Sequence, residues 1–157
     1  MSEKLVAYFS ASGTTASKAA AFAKAAGADL CEIKPETPYT KKDLNYLNPL
    51  SRSTKEMHRK SYRPPIIKDD IDMQSYDVIF VGFPIWWYTV PTIINSFLEA
   101  YDFSGKKIVL FATSGGSAFG KAVSDLQPSA PDAVIEEGML LNGNLSDEEL
   151  KAFAEKY

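Results

Sequence analysis

The sequence predicts a single α/β domain spanning residues 1–157, built on a five-stranded parallel sheet with helices on both faces. Three observations lead there. Short, nearly continuous apolar runs occur at Leu5–Phe9, Tyr76–Gly82 and Lys107–Ala112, the pattern of strands covered on both sides. Between and after them lie segments whose apolar residues repeat at helical spacing. Unusual loops follow directly on three of the strands, at the end of a parallel sheet where ligands bind. A length of 157 residues, 45% of them hydrophobic, suffices for one substantial core and not for two ordinary domains.

The first strand, Leu5–Phe9, runs into the turn Ser10-Ala11-Ser12-Gly13-Thr14-Thr15. A helix follows, with Ala16, Ala19, Ala20 and Ala23 on one face and Gly27 where a C-terminal cap is expected. Asp29–Ile33 reads as a second strand, ended by Pro35 and Pro38. Residues 39–68 carry hints of helical turns but are broken by Pro49, Pro64 and Pro65. The third strand, Tyr76–Gly82, delivers Pro84-Ile85-Trp86-Trp87-Tyr88. A helix is then expected from near Thr89, with Pro91 in its first turn and Ile93, Ile94, Phe97, Leu98 and Tyr101 buried. The fourth strand, Lys107–Ala112, ends in Thr113-Ser114-Gly115-Gly116-Ser117, and Phe119, Ala122, Val123 and Leu126 continue at helical spacing to Pro128. Ala133–Leu141 supplies a fifth strand, bent or bulged at Gly138. Ser146 and Glu149 form a capping box for the last helix, Leu145 and Leu150 a hydrophobic staple, and Leu150, Phe153, Ala154 and Tyr157 one face.

Composition narrows the function. A formal charge of -3 argues against a surface built for nucleic acid. No apolar run approaches the roughly 18 residues needed to span a bilayer, and the N-terminus lacks a signal-peptide pattern. One cysteine, Cys31, cannot form an internal disulfide, so a reducing cytoplasm is the expected location. Cys31 reads as a buried packing residue and His58, the only histidine, as a solvated surface group, which leaves a zinc site or a Ser-His-Asp triad without support. From Lys41 to Lys68, eight basic residues stand against two acidic ones. That segment is either a solvated face or a landing site for a phosphate-bearing reductant or an acidic partner.

The loops carry the chemistry. Ser10, Ser12, Gly13, Thr14 and Thr15 place hydroxyls and a flexible glycine where backbone amides open at a helix N-terminus, which suits a phosphate; the plainer alternative is a well-capped helix. With no lysine or arginine in the loop, a retained monoester fits better than a triphosphate bound with magnesium. Trp86, Trp87 and Tyr88 cannot all face the core, so at least one is available to a planar ligand, unless they cap the sheet or fill an oligomer contact. Gly115 and Gly116 let backbone amides approach a flat ring edge. Gly115, Gly120 and Lys121 also imitate most of a nucleotide-binding P-loop, but Ala122 stands where a magnesium ligand is needed, so no metal is expected.

These motifs resemble the flavodoxin family, whose phosphate loop reads Ser/Thr-x-Ser/Thr-Gly-x-Thr after the first strand, matched by Ser10, Ser12, Gly13 and Thr15. The second loop is similar to that of a flavodoxin subgroup carrying Gly-x-Pro-Ile-Trp-Trp, matched by Gly82, Pro84, Ile85, Trp86 and Trp87. The resemblance implies a three-layer flavodoxin-like sandwich of the short-chain type with strand order 2-1-3-4-5, and FMN seated where strands one and three meet. It implies that Ser10, Ser12, Gly13, Thr14 and Thr15 hold the phosphate. Pro84, Ile85, Trp86, Trp87 and Tyr88 would flank the ring together with Thr113, Ser114, Gly115, Gly116 and Ser117, Trp87 being the first choice for stacking. Many electron-carrier flavodoxins resemble this chain but place an aromatic in the third loop; here none precedes Phe119, which implies a more open ring.

The expected activity is therefore FMN-dependent redox chemistry, as an electron carrier or a small NAD(P)H/quinone-type reductase, without a catalytic side chain acting as general acid or base. The alternative is a flavin-free binding or regulatory module on the same fold. Expected partners are a redox protein or a small-molecule electron donor or acceptor, with no nucleic acid and no membrane, and with monomer and homodimer both open.

Overall fold

The computed structural model describes residues 3–10, 13–37, 63–68, 71–85, 90–113, 119–141 and 145–157. Five strands form the main sheet: β1 (Glu3–Tyr8), β2 (Asp29–Glu32), β3 (Tyr76–Pro84), β4 (Lys107–Thr113) and β5 (Val134–Leu140). They lie in the order β2-β1-β3-β4-β5 and every pair is parallel, as expected. The helices among the described residues are α1 (Thr14–Ala26), α2 (Thr92–Ala100), α3 (Ala122–Leu126) and α4 (Asp147–Ala154).

The sheet divides the core into two layers because successive strand residues point to opposite faces. Leu5, Ala7 and Phe9 of the first strand region join Ile79, Val81, Ile108 and Leu110 on the α2 and α3 side. Val6, Val78, Phe80, Val109 and Phe111 face α1 and α4. α1 is locked to that second face by Phe22, whose ring centroid lies 4.9 Å from Phe80, 5.4 Å from Phe111 and 5.3 Å from Phe153. Its buried stripe is Thr15, Ala19, Phe22 and Ala23, whereas Ala20 is exposed and Ala16 half-buried. This corrects the expected alanine face by part of a turn, because the Phe22 ring outweighs a methyl group in choosing which side of the helix is buried.

Three further expectations shift. The second strand ends at Glu32, and beyond Ile33 the chain stays extended: Lys34–Pro35 pairs antiparallel with Ile66–Ile67 in a short ribbon. Cys31 is half-buried, since β2 is an edge strand with a neighbour on one flank only. α2 begins at Thr92, with Pro91 as its N-cap, so the proline precedes the first turn; Tyr101 is half-buried beyond the helix end. Thr89 lies outside the described residues.

The fifth strand bulges where expected. Leu110 pairs with Glu137 and Phe111 with Met139, which leaves Gly138 as the extra residue. A Cβ at Gly138 would stand 2.3 Å from the Leu110 carbonyl oxygen, so only glycine lets the two strands approach there. Ser146 caps α4 by accepting a hydrogen bond from the Glu149 N–H at 3.1 Å, and Leu145 and Leu150 pack in the same apolar cluster. The Lys4 ammonium donates to the Ala154 carbonyl at 2.7 Å, satisfying the other end of that helix.

Candidate functional site

β1, β3 and β4 end on one rim. Tyr8 pairs with Gly82, and Pro84 with Thr113. The Phe9 N–H donates to the Gly82 carbonyl and the Ile85 N–H to the Thr113 carbonyl, both at 2.9 Å. Three loops predicted from sequence therefore start from adjacent points, joined by backbone hydrogen bonds at their roots.

The first of them turns the chain from β1 into α1. Gly13 takes φ 93° and ψ -14°, a left-handed conformation that glycine adopts without a Cβ penalty. The Gly13 N–H donates to Ser10 Oγ at 3.0 Å, so the Ser10 oxygen closes the turn and its own hydroxyl proton stays available to an acceptor. Among the described residues no side chain caps α1, and its first turn holds no acidic residue. The amides of that turn have no partner within the helix, and the positive end of the helix dipole points out of the rim. Such an end accepts an anion without a basic side chain. Thr14 is the first residue of α1.

Thr15 lies one residue deeper and is only 2% exposed. Its Oγ1 stands 2.8 Å from Oγ1 of Thr113, 98 residues away, which is itself 6% exposed. This bond ties the first turn of α1 to the end of β4 across the intervening β3. Two residues below that level β3 carries Gly82, paired with Tyr8 and Phe111, where a Cβ would fall 2.2 Å from the Phe111 ring. Gly82 is thus required by packing beneath the rim. Pro84 and Ile85 are half-buried, and Ile85 packs against the α2 side of the core.

Tyr8 sits directly below the first loop. Burial pushes its phenol above the ordinary tyrosine value, and the neighbouring Glu32 and Cys31 push it further in the same direction. Tyr8 is therefore neutral at physiological pH and brings no negative charge near the α1 end. Among the described residues no group of histidine, cysteine and carboxylate side chains is arranged to hold a metal ion, and no helix is long and apolar enough to cross a membrane. Ala122, at the magnesium-ligand position of the P-loop-like pattern, is fully buried in the α2 and α3 layer.

The structure thus brings together Ser10, Gly13, Thr15, Pro84, Ile85 and Thr113 on one rim. Ser12, Trp86, Trp87, Tyr88, Ser114, Gly115, Gly116 and Ser117 lie outside the described residues, as do His58 and most of the basic segment. The pairing of Thr15 with Thr113 is a feature that local sequence pattern does not announce. Both are hydroxyl residues at loop roots, and only the strand order tells that the two roots are near each other.

A family model described as Flavodoxin matches residues 3–157. The chain belongs to the flavodoxin family. No curated protein matched it. Among solved structures it is similar to a candidate flavoprotein from Bacteroides eggerthii DSM 20697, with 44% identity and a TM-score of 0.92 over 99% of this chain and 98% of that one. A second candidate flavoprotein, from Bacteroides uniformis ATCC 8492, shares 42% identity with a TM-score of 0.90, over 98% of each chain. A flavoprotein from Lactobacillus acidophilus NCFM, solved in complex with FMN, has the same flavodoxin fold at 22% identity and a TM-score of 0.73, covering 98% of this chain and 99% of that one.

Proposed function

We propose that this flavodoxin-family protein binds FMN non-covalently on the rim formed by β1, β3 and β4 and uses it to move electrons between a donor and an acceptor. The observation that carries the reading is the first turn of α1: left-handed Gly13, no side-chain cap among the described residues, no acidic residue, and Ser10 folded back to shape the turn. A phosphate monoester fits that end, because amides and hydroxyls satisfy its oxygens while the absence of lysine and arginine between Phe9 and Ser17 leaves it only partly neutralised. Support also comes from family membership and from the fold neighbour solved with FMN.

When bound, FMN supplies the redox chemistry itself. The chain positions it. Ser10, Ser12, Gly13, Thr14 and Thr15 would hold the phosphate; Pro84 to Tyr88 and Thr113 to Ser117 would border the ring, with Trp87 the first choice for stacking on it. Gly115 and Gly116 let backbone amides reach the ring edge. No side chain acts as general acid or base. Because the third loop has no aromatic before Phe119, one ring face stays open to a small acceptor, which favours a reductase over a pure carrier. The proposed setting is a reducing cytoplasm, with a redox protein or a small-molecule donor or acceptor as partner.

Fluorescence titration tests the binding site. Ser12→Ala together with Thr15→Ala should weaken FMN far more than riboflavin; equal loss for the two ligands places the phosphate elsewhere. Steady-state NAD(P)H oxidation with a quinone acceptor then separates the roles, since turnover by the isolated protein excludes a passive carrier.

A further inference from the structure

α2 and α3 share one face of the sheet, and each follows a loop of the rim: the aromatic loop leads into α2 and the glycine-rich loop into α3. Apolar packing holds both helices down, through Ile93, Ile94, Phe97 and Leu98 of α2 and Ala122 and Leu126 of α3. Such attraction is non-directional, so by itself it leaves one helix free to slide against the other. Asn95 removes that freedom. It is 4% exposed, and its amide N–H groups donate to the Asp125 carbonyl in α3 at 3.0 Å and to Ser129 Oγ at 2.9 Å, in the 3-10 turn Gln127–Ser129 that follows. Ser129 donates in turn to Glu99 Oε2 at 2.7 Å, one helical turn beyond Asn95 on α2. The 3-10 turn is thus gripped at two points along α2, which fixes tilt as well as spacing. Gln127 stiffens it by donating through Nε2 to the Ala130 and Ala133 carbonyls, each at 3.0 Å. A buried amide costs desolvation that an apolar side chain would not, and in return its directional bonds specify one arrangement of the two helices.

We propose that Asn95 is a positioning residue for the flavin: by locking α2 to α3 it sets the gap between the two loops that border the ring. The proposal rests on the flavin reading of the rim. A flat ring gains its full dispersion attraction only where the walls meet it, and a gap too wide by about 0.5–1 Å forfeits roughly a quarter to a half of each contact. Asn95 does not react; it acts on the ring through the two helices. The phosphate turn belongs to α1, which packs on the opposite face of the sheet and lies outside this lock. Loss of the lock therefore weakens the hold on the ring and leaves the hold on the phosphate as it was.

Fluorescence titration of the full chain with FMN and with riboflavin, which carries the ring without the phosphate, tests the role. Asn95→Leu keeps the side-chain volume and removes both donors. Both ligands should bind about tenfold more weakly and by the same factor, and the visible bands of the bound flavin should move back toward those of free flavin. Ser146→Ala is the control for stability alone, because it loosens α4 on the opposite face, and it should leave affinity and bands unchanged. Asn95→Leu binding both flavins as tightly as the unmodified protein, with the same bands, overturns the role. A loss confined to FMN, or equal changes in Ser146→Ala, also overturns it. Hydrogen exchange on the unmodified protein gives an answer that needs no variant. FMN should raise protection at the amides of Asp125 and Ala130, beside the lock, as well as at Ile85, and protection that stops at the loops overturns the role. Tight flavin binding that is indifferent to Asn95 leaves the flavin reading standing, whereas an unmodified protein that binds neither FMN nor riboflavin overturns both.

Discussion

Gly13 and Gly27 bound the same helix, and comparing alanine at the two positions separates strain from function. Both take left-handed φ, 93° and 65°, and at both an added Cβ would meet nothing within 4 Å. The penalty of alanine is therefore conformational at each, about 1–2 kcal/mol. At Gly27 the backbone N–H is bound to the carbonyls of α1's last turn, so relaxation is blocked and the penalty appears as lost stability. Gly27→Ala should lower the unfolding free energy by about 1 kcal/mol and leave flavin affinity unchanged. Gly13 is exposed; its carbonyl accepts from the Ser17 N–H as the first bond of α1, and on its N-terminal side, where φ is set, its N–H makes a single hydrogen bond among the described residues, to Ser10 Oγ. There the free protein can relax, and the ligand must restore the left-handed turn. The same 1–2 kcal/mol then becomes an FMN dissociation constant raised by roughly 5- to 30-fold, with less effect on riboflavin. Urea unfolding and fluorescence titration of the three proteins supply both numbers. Gly13→Ala binding FMN as tightly as the unmodified protein, or weakening FMN and riboflavin equally, refutes the assignment of this turn to the phosphate.

Other substitutions probe the scaffold. Gly138→Ala drives a Cβ to 2.3 Å from the Leu110 carbonyl oxygen, a backbone atom that cannot swing away, and should cost about 1–3 kcal/mol in urea unfolding. Ser146→Ala removes the acceptor for the Glu149 N–H and should cost about 1 kcal/mol, with the far-UV helical signal showing fraying of α4. At Glu99, burial works to raise the carboxyl's value, but hydrogen bonds from Ser129 and Arg63 and the Arg63 charge prevail, so it lies below the ordinary glutamate value. A depressed folded value means that the stabilisation is complete above the unfolded value and is lost as pH falls through the folded one. Glu99→Gln should therefore be less stable than the unmodified protein at neutral pH, by under about 1 kcal/mol because the carboxylate is 43% exposed, and the gap should close in acid.

Elements governed by local chemistry were readable from sequence. α4 announces itself because Ser146 and Glu149 have the spacing that lets one cap the other, and the bulge at Gly138 follows from a glycine inside an apolar strand. The central strands were readable because burial on both faces leaves a nearly unbroken apolar run, as in Phe80, Val81 and Phe83. What stayed hidden depends on residues distant in the chain. The buried face of α1 is decided by Phe22 meeting Phe80, Phe111 and Phe153, and the need for glycine at 82 comes from the Phe111 ring on the next strand. Periodicity within α1 contains neither fact. Cys31 reads as a buried packing residue because composition does not reveal that β2 lies at the sheet edge, and Pro35 reads as a stop where it in fact joins a ribbon. At the site, the hydroxyl-rich turn and the loop order were legible, whereas the bond from Thr15 to Thr113 was not: hydroxyl groups carry no periodic signal, and their meeting is a consequence of strand order.

The visible absorption spectrum of the purified full-length protein, before and after addition of FMN, tests the central claim most directly. The account predicts flavin bands displaced from those of free FMN, with a matching loss of flavin fluorescence as the ring is enclosed. A colourless protein that leaves both the spectrum and the fluorescence of added FMN unchanged contradicts it.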